Sequence, residues 1–388
     1  MFKRMTICLL LIGLLALDAT AADTFRIGAT VSETGHFATE IGPFRKLLQV
    51  WVEDLNADGG VQLGGRRLPV ELFVYDDRSD EATARRMYER LAVVNRVDLM
   101  FGPYSSPLTL AASTAGEAHH IPFIAICANS PKIYARGYEW IVCIIDKAPR
   151  YTHRYWEMIA AEAKARSVAF VVEDTLHPQG VFKGARKLAA DAGLNILEHH
   201  VAPRDTRDFS PIMSRLKKAD PDIVFIASNI PFAVQFMAQA REMGLAPREF
   251  HAIHHSGIFL QALGPIAEHV TGQSYWTPGM THGQFARFEK LLTAAGVSLA
   301  DYPWAPAYMM AFEVAEAALT AAPTGDADAI IKALKTSRTE TIGGTVRFGA
   351  DGAGSINTYP SQIQDGQYHI VWPPAVATGN HIYPRRPF

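Results

Sequence analysis

The sequence predicts an α/β protein made of two Rossmann-like lobes that are joined by a multi-strand hinge. At 388 residues the chain is too long for one small domain, and two lobes are the default. Short apolar runs typical of buried strands alternate with helical patterns in two successive blocks. This alternation favours a parallel sheet with helices on both faces in each block. A third group of helical segments follows and has no alternating strands of its own.

The first block contains four predicted strands and the helices between them. Two carboxylates, Asp76 and Asp77, end the second of these strands, and we interpret them as a strand-end cap or hinge contact rather than a calcium site. The predicted elements are a strand over 25–31, a helix from Pro43 to a stop at 57–60, a strand over 68–75, a helix over 81–95, and strands over 97–101 and 123–126 that each lead into a helix start.

Two of these strand-to-helix turns are predicted to form an anion site. In the first turn, Ser106 is predicted to be the N-cap of a helix and Pro107 its first helical residue. A similar helix start is predicted at Pro131. Free N–H groups and the helix dipole favour an anion at such a turn. Because ligands bind at the carboxyl edge of open α/β sheets, we expect the Ser105 and Ser106 hydroxyls to hold a carboxylate there.

The second block repeats the pattern after an extended stretch over 137–146. Its predicted elements are a helix over 151–165, a strand over 167–172, a loop over 173–180, a helix over 181–192, a strand over 195–201, a helix over 209–219, a strand over 222–227, a helix over 232–243, and strands over 250–253 and 270–276. Helices over 284–295, 306–321 and 326–337 are expected to return to the first lobe, and short strands are expected at 345–348 and 369–372.

These elements predict where the chain divides. The N-terminal lobe takes residues 22–147 and about 278–362, and the C-terminal lobe takes 148–277 and about 363–388. Because the chain crosses several times between the lobes, the crossings would form a hinge and the cleft between the lobes would be the binding place. The aromatic helix start at Trp304 to Tyr308 is interpreted as core packing.

The first 21 residues are predicted to be a secretion signal. Lys3 and Arg4 form a basic start, residues 7–17 form an apolar core, and Ala19-Thr20-Ala21 is a cleavage site that places the mature start near Ala22. The apolar core is short for a membrane span, although an uncleaved anchor is the alternative. The mature protein is therefore predicted to be exported to the periplasm.

The composition and the missing motifs exclude several functions. A net charge of −2 offers no basic surface for nucleic acid. The sequence contains no nucleophile elbow, phosphate loop or H-E-x-x-H motif, so we predict no catalytic residue and no cofactor, with an exported hydrolase as the rival class. Adjacent histidines point apart, so the pairs at 119–120, 199–200 and 254–255 predict no metal site. Cys127 and Cys143 are either two buried thiols or a disulfide.

Several stretches between about residues 25 and 245 read FRIGATVSETGHFA, DLNADGGVQLGGRRLPVELFVYDD, DLMFGPYSS, ARGY and QAREMGL. In their order and spacing they resemble the leucine/isoleucine/valine-binding branch of the type I periplasmic binding proteins. The resemblance implies a receptor that closes on a small-molecule ligand in the cleft between its lobes. It also implies delivery of that ligand to an ABC importer permease in the inner membrane, with the receptor acting as a monomer.

The resemblance also implies which residues meet the ligand. The family holds the ligand carboxylate at the turn that matches Ser105-Ser106, and a second turn matches residues 127–129. On the other lobe, ligand-facing positions fall near His177 and at Asn229. The predicted ligand-binding set is Tyr104, Ser105, Ser106, Cys127, Ala128, Asn129, His177, Asn229, His254 and His255.

One departure from the family pattern bears on the ligand. The acidic residue that pairs with an α-ammonium group falls at His254, or at His255 if the register shifts by one. Because histidine cannot supply that negative charge, we predict a carboxylate without an α-amino group. Glu173 or Asp174 could instead pair with an amine from another wall of the cleft, so an amino acid is the alternative ligand. The alternative function is that of a ligand sensor for a membrane signalling partner. Flat side chains expected around the cleft favour an aromatic acid: Phe37, Tyr104, His177, Tyr275 and Trp276.

Overall fold

A computed structural model describes residues 24–276 and 283–386 of the chain. The predicted secretion signal at 1–21 lies outside the described residues. Within the described ranges, no helix is long and apolar enough to span a membrane.

The strands form two large sheets and two hairpins. In chain order they are β1 (Phe25–Val31), β2 (Val61–Leu63), β3 (Arg66–Leu68), β4 (Val70–Asp76), β5 (Leu99–Phe101), β6 (Phe123–Ala125), β7 (Ile141–Cys143), β8 (Ser167–Glu173), β9 (Asn195–Ala202), β10 (Ile223–Ala227), β11 (Glu249–Ala252), β12 (Thr271–Ser274), β13 (Arg338–Thr341), β14 (Gly344–Arg347), β15 (Tyr359–Gln364) and β16 (Gln367–Ile370).

The α-helices connect these strands and cover the sheets. They are α1 (Ala38–Ile41), α2 (Phe44–Ala57), α3 (Glu81–Arg90), α4 (Ser106–Ala118), α5 (Pro131–Tyr134), α6 (His153–Glu162), α7 (Leu176–Asp191), α8 (Ser210–Ala219), α9 (Ile230–Glu242), α10 (Gly257–Leu263), α11 (Phe285–Ala295), α12 (Ala305–Ala321) and α13 (Ala327–Thr336).

The first lobe is a parallel sheet in the order β4-β1-β5-β6-β7. Apart from the partly exposed edge strand β4, its strands are apolar runs that are buried almost throughout, as parallel strands usually are. The late helices return to this lobe as the sequence predicts, because α11 packs on α2 and α12 packs on β2. The ring of Trp51 on α2 stacks on Phe312 of α12, with centroids 4.3 Å apart and planes within 5°.

The second lobe is built on a seven-stranded sheet in the order β16-β15-β12-β11-β10-β8-β9. Strands β8 to β12 are parallel, and β15 and β16 add an antiparallel edge. Ile356 still bridges to Ile145 beside the first sheet, whereas Tyr359 already pairs with Ser274 in the second. The last crossing therefore falls between residues 356 and 359, a few residues before the boundary of about 362 predicted from the sequence.

The predicted loop over 173–180 is wrong, because helix α7 begins at Leu176. The sequence suggested a loop because it contains Pro178 and Gly180. Both residues lie in the first turns of the helix, where proline is tolerated. Gly184 lets α7 approach the crossing segment closely, since an added Cβ would lie 1.8 Å from the carbonyl oxygen of Pro149. This contact fixes the N-terminal end of α7 beside the cleft.

The carboxylates at the end of β4 cap neighbouring backbone, as the sequence predicts. Asp77 is buried and accepts hydrogen bonds from the hydroxyls of Thr30 and Ser32 at 2.6 and 2.5 Å. Asp76 accepts from the backbone N–H groups of Glu33 and Arg78. These bonds tie the carboxyl end of β1 to that of β4.

Candidate functional site

A cavity lies between the two lobes, at the carboxyl ends of strands from both sheets. The first lobe contributes the turns after β5 and β6, and the second contributes the segments after β8, β10, β11 and β12. The lining residues are Tyr104, Ser105, Ser106, Cys127, Ile145, Tyr151, His177, Asn229, His254, His255, Gln273, Tyr275, Pro303 and Trp304. Eight of the ten residues in the predicted set are brought together in this lining.

The turn after β5 presents two serine hydroxyls to the cavity. The N-cap of α4 is Ser105, not Ser106 as predicted, because Ser105 has the extended backbone that a cap adopts and Ser106 is already helical. The Ser106 hydroxyl accepts a hydrogen bond from the backbone N–H of Ser130 at 3.3 Å. The Ser105 hydroxyl is buried and has no partner among the described residues. Both hydroxyls have a hydrogen to donate to an anion.

Within the second turn, Cys127 lines the cavity, and ligand contact by Ala128 and Asn129 stays a prediction. Ala128 and Asn129 do not line the cavity. The carbonyl oxygen of Ala128 accepts from the Tyr134 hydroxyl at 2.6 Å. The Asn129 amide nitrogen donates to the carbonyl oxygen of Asp146 at 2.9 Å, and its oxygen lies 2.7 Å from Nδ1 of His177. Asn129 therefore contacts a cavity residue of the other lobe.

The three histidines of the site are held in the neutral form. The rings of His177 and His254 stack in parallel, 5.1 Å apart. Burial lowers the pKa of His254 and of His255 to about 4, and burial together with His254 lowers the pKa of His177 well below its ordinary value. At neutral pH these rings therefore carry no charge toward a ligand.

Aromatic rings form much of the remaining wall. The rings of Tyr104 and Trp304 stack with centroids 6.3 Å apart, and Tyr151 meets His177 and His254 edge-on. Trp304 is buried in the core, as predicted, and it also lines the cavity. Its Nε1 is buried without a partner among the described residues. Tyr308 lies in the core as well, with its ring centroid 4.3 Å from that of Phe44.

Of the other flat residues expected around the cleft, only Tyr275 joins Tyr104 and His177 in the lining. Phe37 packs edge-on against Tyr104 from behind, and Trp276 stacks on Phe285. Sequence reasoning missed Ile145, Tyr151, Gln273 and Pro303. Gln273 had no motif to mark it, because its place is set by a hydrogen bond from Thr358, 85 residues later in the chain.

The two acidic residues that the sequence offered as partners for an amine, Glu173 and Asp174, are engaged with protein groups. Glu173 is fully buried behind the wall and accepts from the backbone and side-chain nitrogens of Asn229, at 2.8 and 2.9 Å. Arg204 also pairs with Glu173 and reaches across the cleft to Nε2 of His36 at 2.7 Å. Asp174 is exposed and accepts from the side chain of Gln179. None of the described residues that line the cavity is Asp or Glu.

Two chemical alternatives can be checked in the described part of the chain. Both Cys127 and Cys143 are free thiols, so the disulfide left open by the sequence is not formed. No group of three or more His, Cys, Asp or Glu side chains in residues 24–276 and 283–386 is placed to hold a metal ion.

Comparison with known proteins gives one family and a set of distant relatives. A family model described as periplasmic binding protein matches residues 24–367. A Leu/Ile/Val-binding protein homologue from Brucella suis is 28% identical over 253 residues, which cover 63% of this chain and 62% of that protein. The chain thus spans less than two thirds of the length of this curated relative.

Solved structures share the fold at low identity. A branched-chain amino acid transporter substrate-binding protein from Streptococcus pneumoniae, solved with isoleucine, has a TM-score of 0.77, 19% identity, and coverage of 93% of this chain and 100% of that one. An ABC transporter solute-binding protein from R. palustris, solved with benzoate, has a TM-score of 0.75, 15% identity, and coverage of 94% and 98%. With two α/β lobes, a cavity between them and the match over 24–367, this chain belongs to the periplasmic binding protein family and has the type I fold of the leucine/isoleucine/valine-binding proteins.

Proposed function

We propose that this protein is the extracytoplasmic receptor of an ABC importer and that it binds a small carboxylate without an α-amino group. The observation that carries the proposal is the chemistry of the lining. Two serine hydroxyls and the N-terminus of α4 face the cavity, and no carboxylate is found among the described lining residues. This arrangement suits an anion, whereas a buried ammonium group would be left without a counter-charge.

The aromatic walls favour an aromatic acid. Tyr104 and Trp304 present one stacked pair, and His177 and His254 present another. Flat apolar surfaces contact a ring well, and offset or edge-on ring pairs add stabilisation. The benzoate bound to the structural relative from R. palustris is a ligand of this class, while the isoleucine bound to the relative from S. pneumoniae represents the amino acid alternative.

Matched ligand pairs test this proposal by isothermal titration calorimetry. Leucine is compared with 4-methylpentanoate, and phenylalanine with 3-phenylpropanoate, since the members of each pair differ only in the α-amino group; benzoate completes the set. We expect each acid without the amine to bind at least about 10-fold more tightly than its amino acid, because an unpaired buried ammonium costs more than the roughly 1.4 kcal/mol of a tenfold change. Tighter binding of leucine than of 4-methylpentanoate would establish the amino acid alternative.

Export, the importer partner and the monomeric state complete the proposal. The predicted signal at 1–21 and the family both favour the periplasm. Fractionation of the producing cell should place the mature protein in the periplasm with its first residue near Ala22. Uptake of a labelled acid should need both this gene and its permease, and the purified protein should run as a monomer on a sizing column.

A further inference from the structure

We propose that the ligand carries a hydroxyl group that donates a hydrogen bond to Nε2 of His177. In this proposal Asn129 is the positioning residue that keeps the imidazole in the accepting form. The inference rests on the proposed function, since it specifies the acid that the same cavity binds. It narrows the ligand class from carboxylates to hydroxylated carboxylates.

The orientation of the Asn129 amide is fixed by its surroundings. One end of the amide lies 2.9 Å from the carbonyl oxygen of Asp146, which only accepts hydrogen bonds, so that end must be the NH₂ group. The other end is therefore the oxygen, and it lies 2.7 Å from Nδ1 of His177. Because an amide oxygen cannot donate, Nδ1 of His177 must carry the hydrogen of this bond.

A neutral imidazole with its hydrogen on Nδ1 has an acceptor at Nε2. The parallel ring of His254, 5.1 Å away, disfavours a positive charge on His177, as does burial. Nε2 of His177 is buried and has no partner among the described residues, although His177 lines the cavity. A buried acceptor is costly to leave unpaired, so the group that satisfies it would come from the ligand.

A hydroxyl suits this acceptor better than an ammonium group does. A neutral ring can accept one hydrogen bond from an ammonium but cannot cancel its charge, and Glu173 is already committed to Asn229. A hydroxyl brings a hydrogen and no charge. The ring of His177 also joins the lobes, because Asn129 lies in the turn after β6 and His177 lies in the first turn of α7. The ligand and the opposite lobe thus use the two nitrogens of one ring.

Titration with benzoate, 3-hydroxybenzoate and 4-hydroxybenzoate tests the inference. At least one hydroxybenzoate should bind the unmodified protein about 10-fold or more tightly than benzoate does. In His177→Phe the ring is kept but the acceptor is lost, so the ratio of the hydroxybenzoate affinity to the benzoate affinity should fall to about one. Asn129→Ala frees the tautomer and should lower the ratio in part. His199→Phe, on the edge strand β9 away from the cavity, should leave the ratio unchanged.

The outcomes separate this inference from the proposed function. Equal binding of benzoate and both hydroxybenzoates would overturn the inference and leave the proposed function standing. Uptake of a proton on benzoate binding, measured in two buffers of different ionisation enthalpy and absent in His177→Phe, would mean that protonated His177 donates to the carboxylate and would also overturn it. Binding of leucine with no binding of any carboxylate in the set would overturn both.

Discussion

Replacing both serines of the turn before α4, Ser105→Ala together with Ser106→Ala, is expected to weaken binding of the preferred carboxylate at least ~100-fold. Each hydroxyl has a hydrogen to donate to the anion, and a hydrogen bond to a charged group is worth about 1.5–3 kcal/mol. Since about 1.4 kcal/mol is a tenfold change in affinity, two such bonds account for the expected loss. Calorimetric titration of the purified variant with benzoate measures it.

The single variants show whether the loss of affinity comes from lost ligand contacts or from a less stable fold. The Ser105 hydroxyl has no protein partner among the described residues, so Ser105→Ala should weaken binding about 10-fold without lowering the free energy of unfolding. Ser106→Ala also removes the acceptor of the Ser130 N–H and should cost about 1 kcal/mol of stability. Ser214→Ala, on the exposed face of α8, is the matched control. Unchanged affinity in the double variant would contradict a carboxylate at this turn.

The second large effect is expected from His381→Ala, which should lower the free energy of unfolding by about 3–5 kcal/mol. The side chain of His381 is buried against the second lobe and contacts Glu162 at 2.9 Å and Glu249 at 2.7 Å. Glu249 is itself buried and also accepts from Tyr155 and Thr271. Removing the histidine leaves a buried carboxylate without its counter-charge. Urea denaturation of the unmodified protein and of His381→Ala measures the difference in free energy of unfolding.

The same histidine predicts how this difference depends on pH. Burial alone would lower the pKa of His381, but the charges and hydrogen bonds of Glu249 and Glu162 outweigh it and raise the pKa from 6.5 to about 9. A raised pKa means that the folded protein holds the proton more tightly. The stabilisation by His381 is therefore fully present below pH 6.5 and is lost as the pH rises through about 9. The difference in free energy of unfolding between the unmodified protein and His381→Ala should therefore become smaller over that pH range.

A surface histidine provides the control for the His381 experiment. His119 pairs with Glu89 at 2.9 Å on partly exposed side chains, so His119→Ala should change stability by no more than about 1 kcal/mol. If His381→Ala changed stability as little as His119→Ala, or if its effect grew above pH 8, the assignment of His381 as a buried ion-pair partner would be wrong.

The first lobe could be predicted well because local patterns decide its elements. The run over 25–31 is bounded by polar residues and forms β1 over the predicted residues. In the second turn the sequence did not show that polar groups of Ala128 and Asn129 bond to Tyr134, Asp146 and His177. Such bonds join residues distant in sequence, and no spacing rule encodes them.

The other differences between prediction and structure also arise from contacts between residues that are distant in sequence. β15 was not predicted, because Pro360 and a run of polar residues disguise a strand that pairs with β16 and with β12, almost 90 residues earlier. The core position of Trp304 was predicted but its place in the cavity lining was not, because helical spacing is the same for a ring that packs inward and a ring that also faces a cavity. Burial of Trp304 between lobes depends on how the lobes meet, which is a property of the whole chain.

The stacking of Trp51 on Phe312 has a consequence for the order in which the protein can fold. A chain that is synthesised or translocated from its N-terminus presents β1 to β7 long before α12 exists. The side of Trp51 that stacks on Phe312 then stays uncovered until more than 250 further residues have followed, since Phe312 is 261 positions after Trp51. Contacts so distant in sequence form slowly, so the newly made N-terminal half should need protection from aggregation until the C-terminal helices arrive.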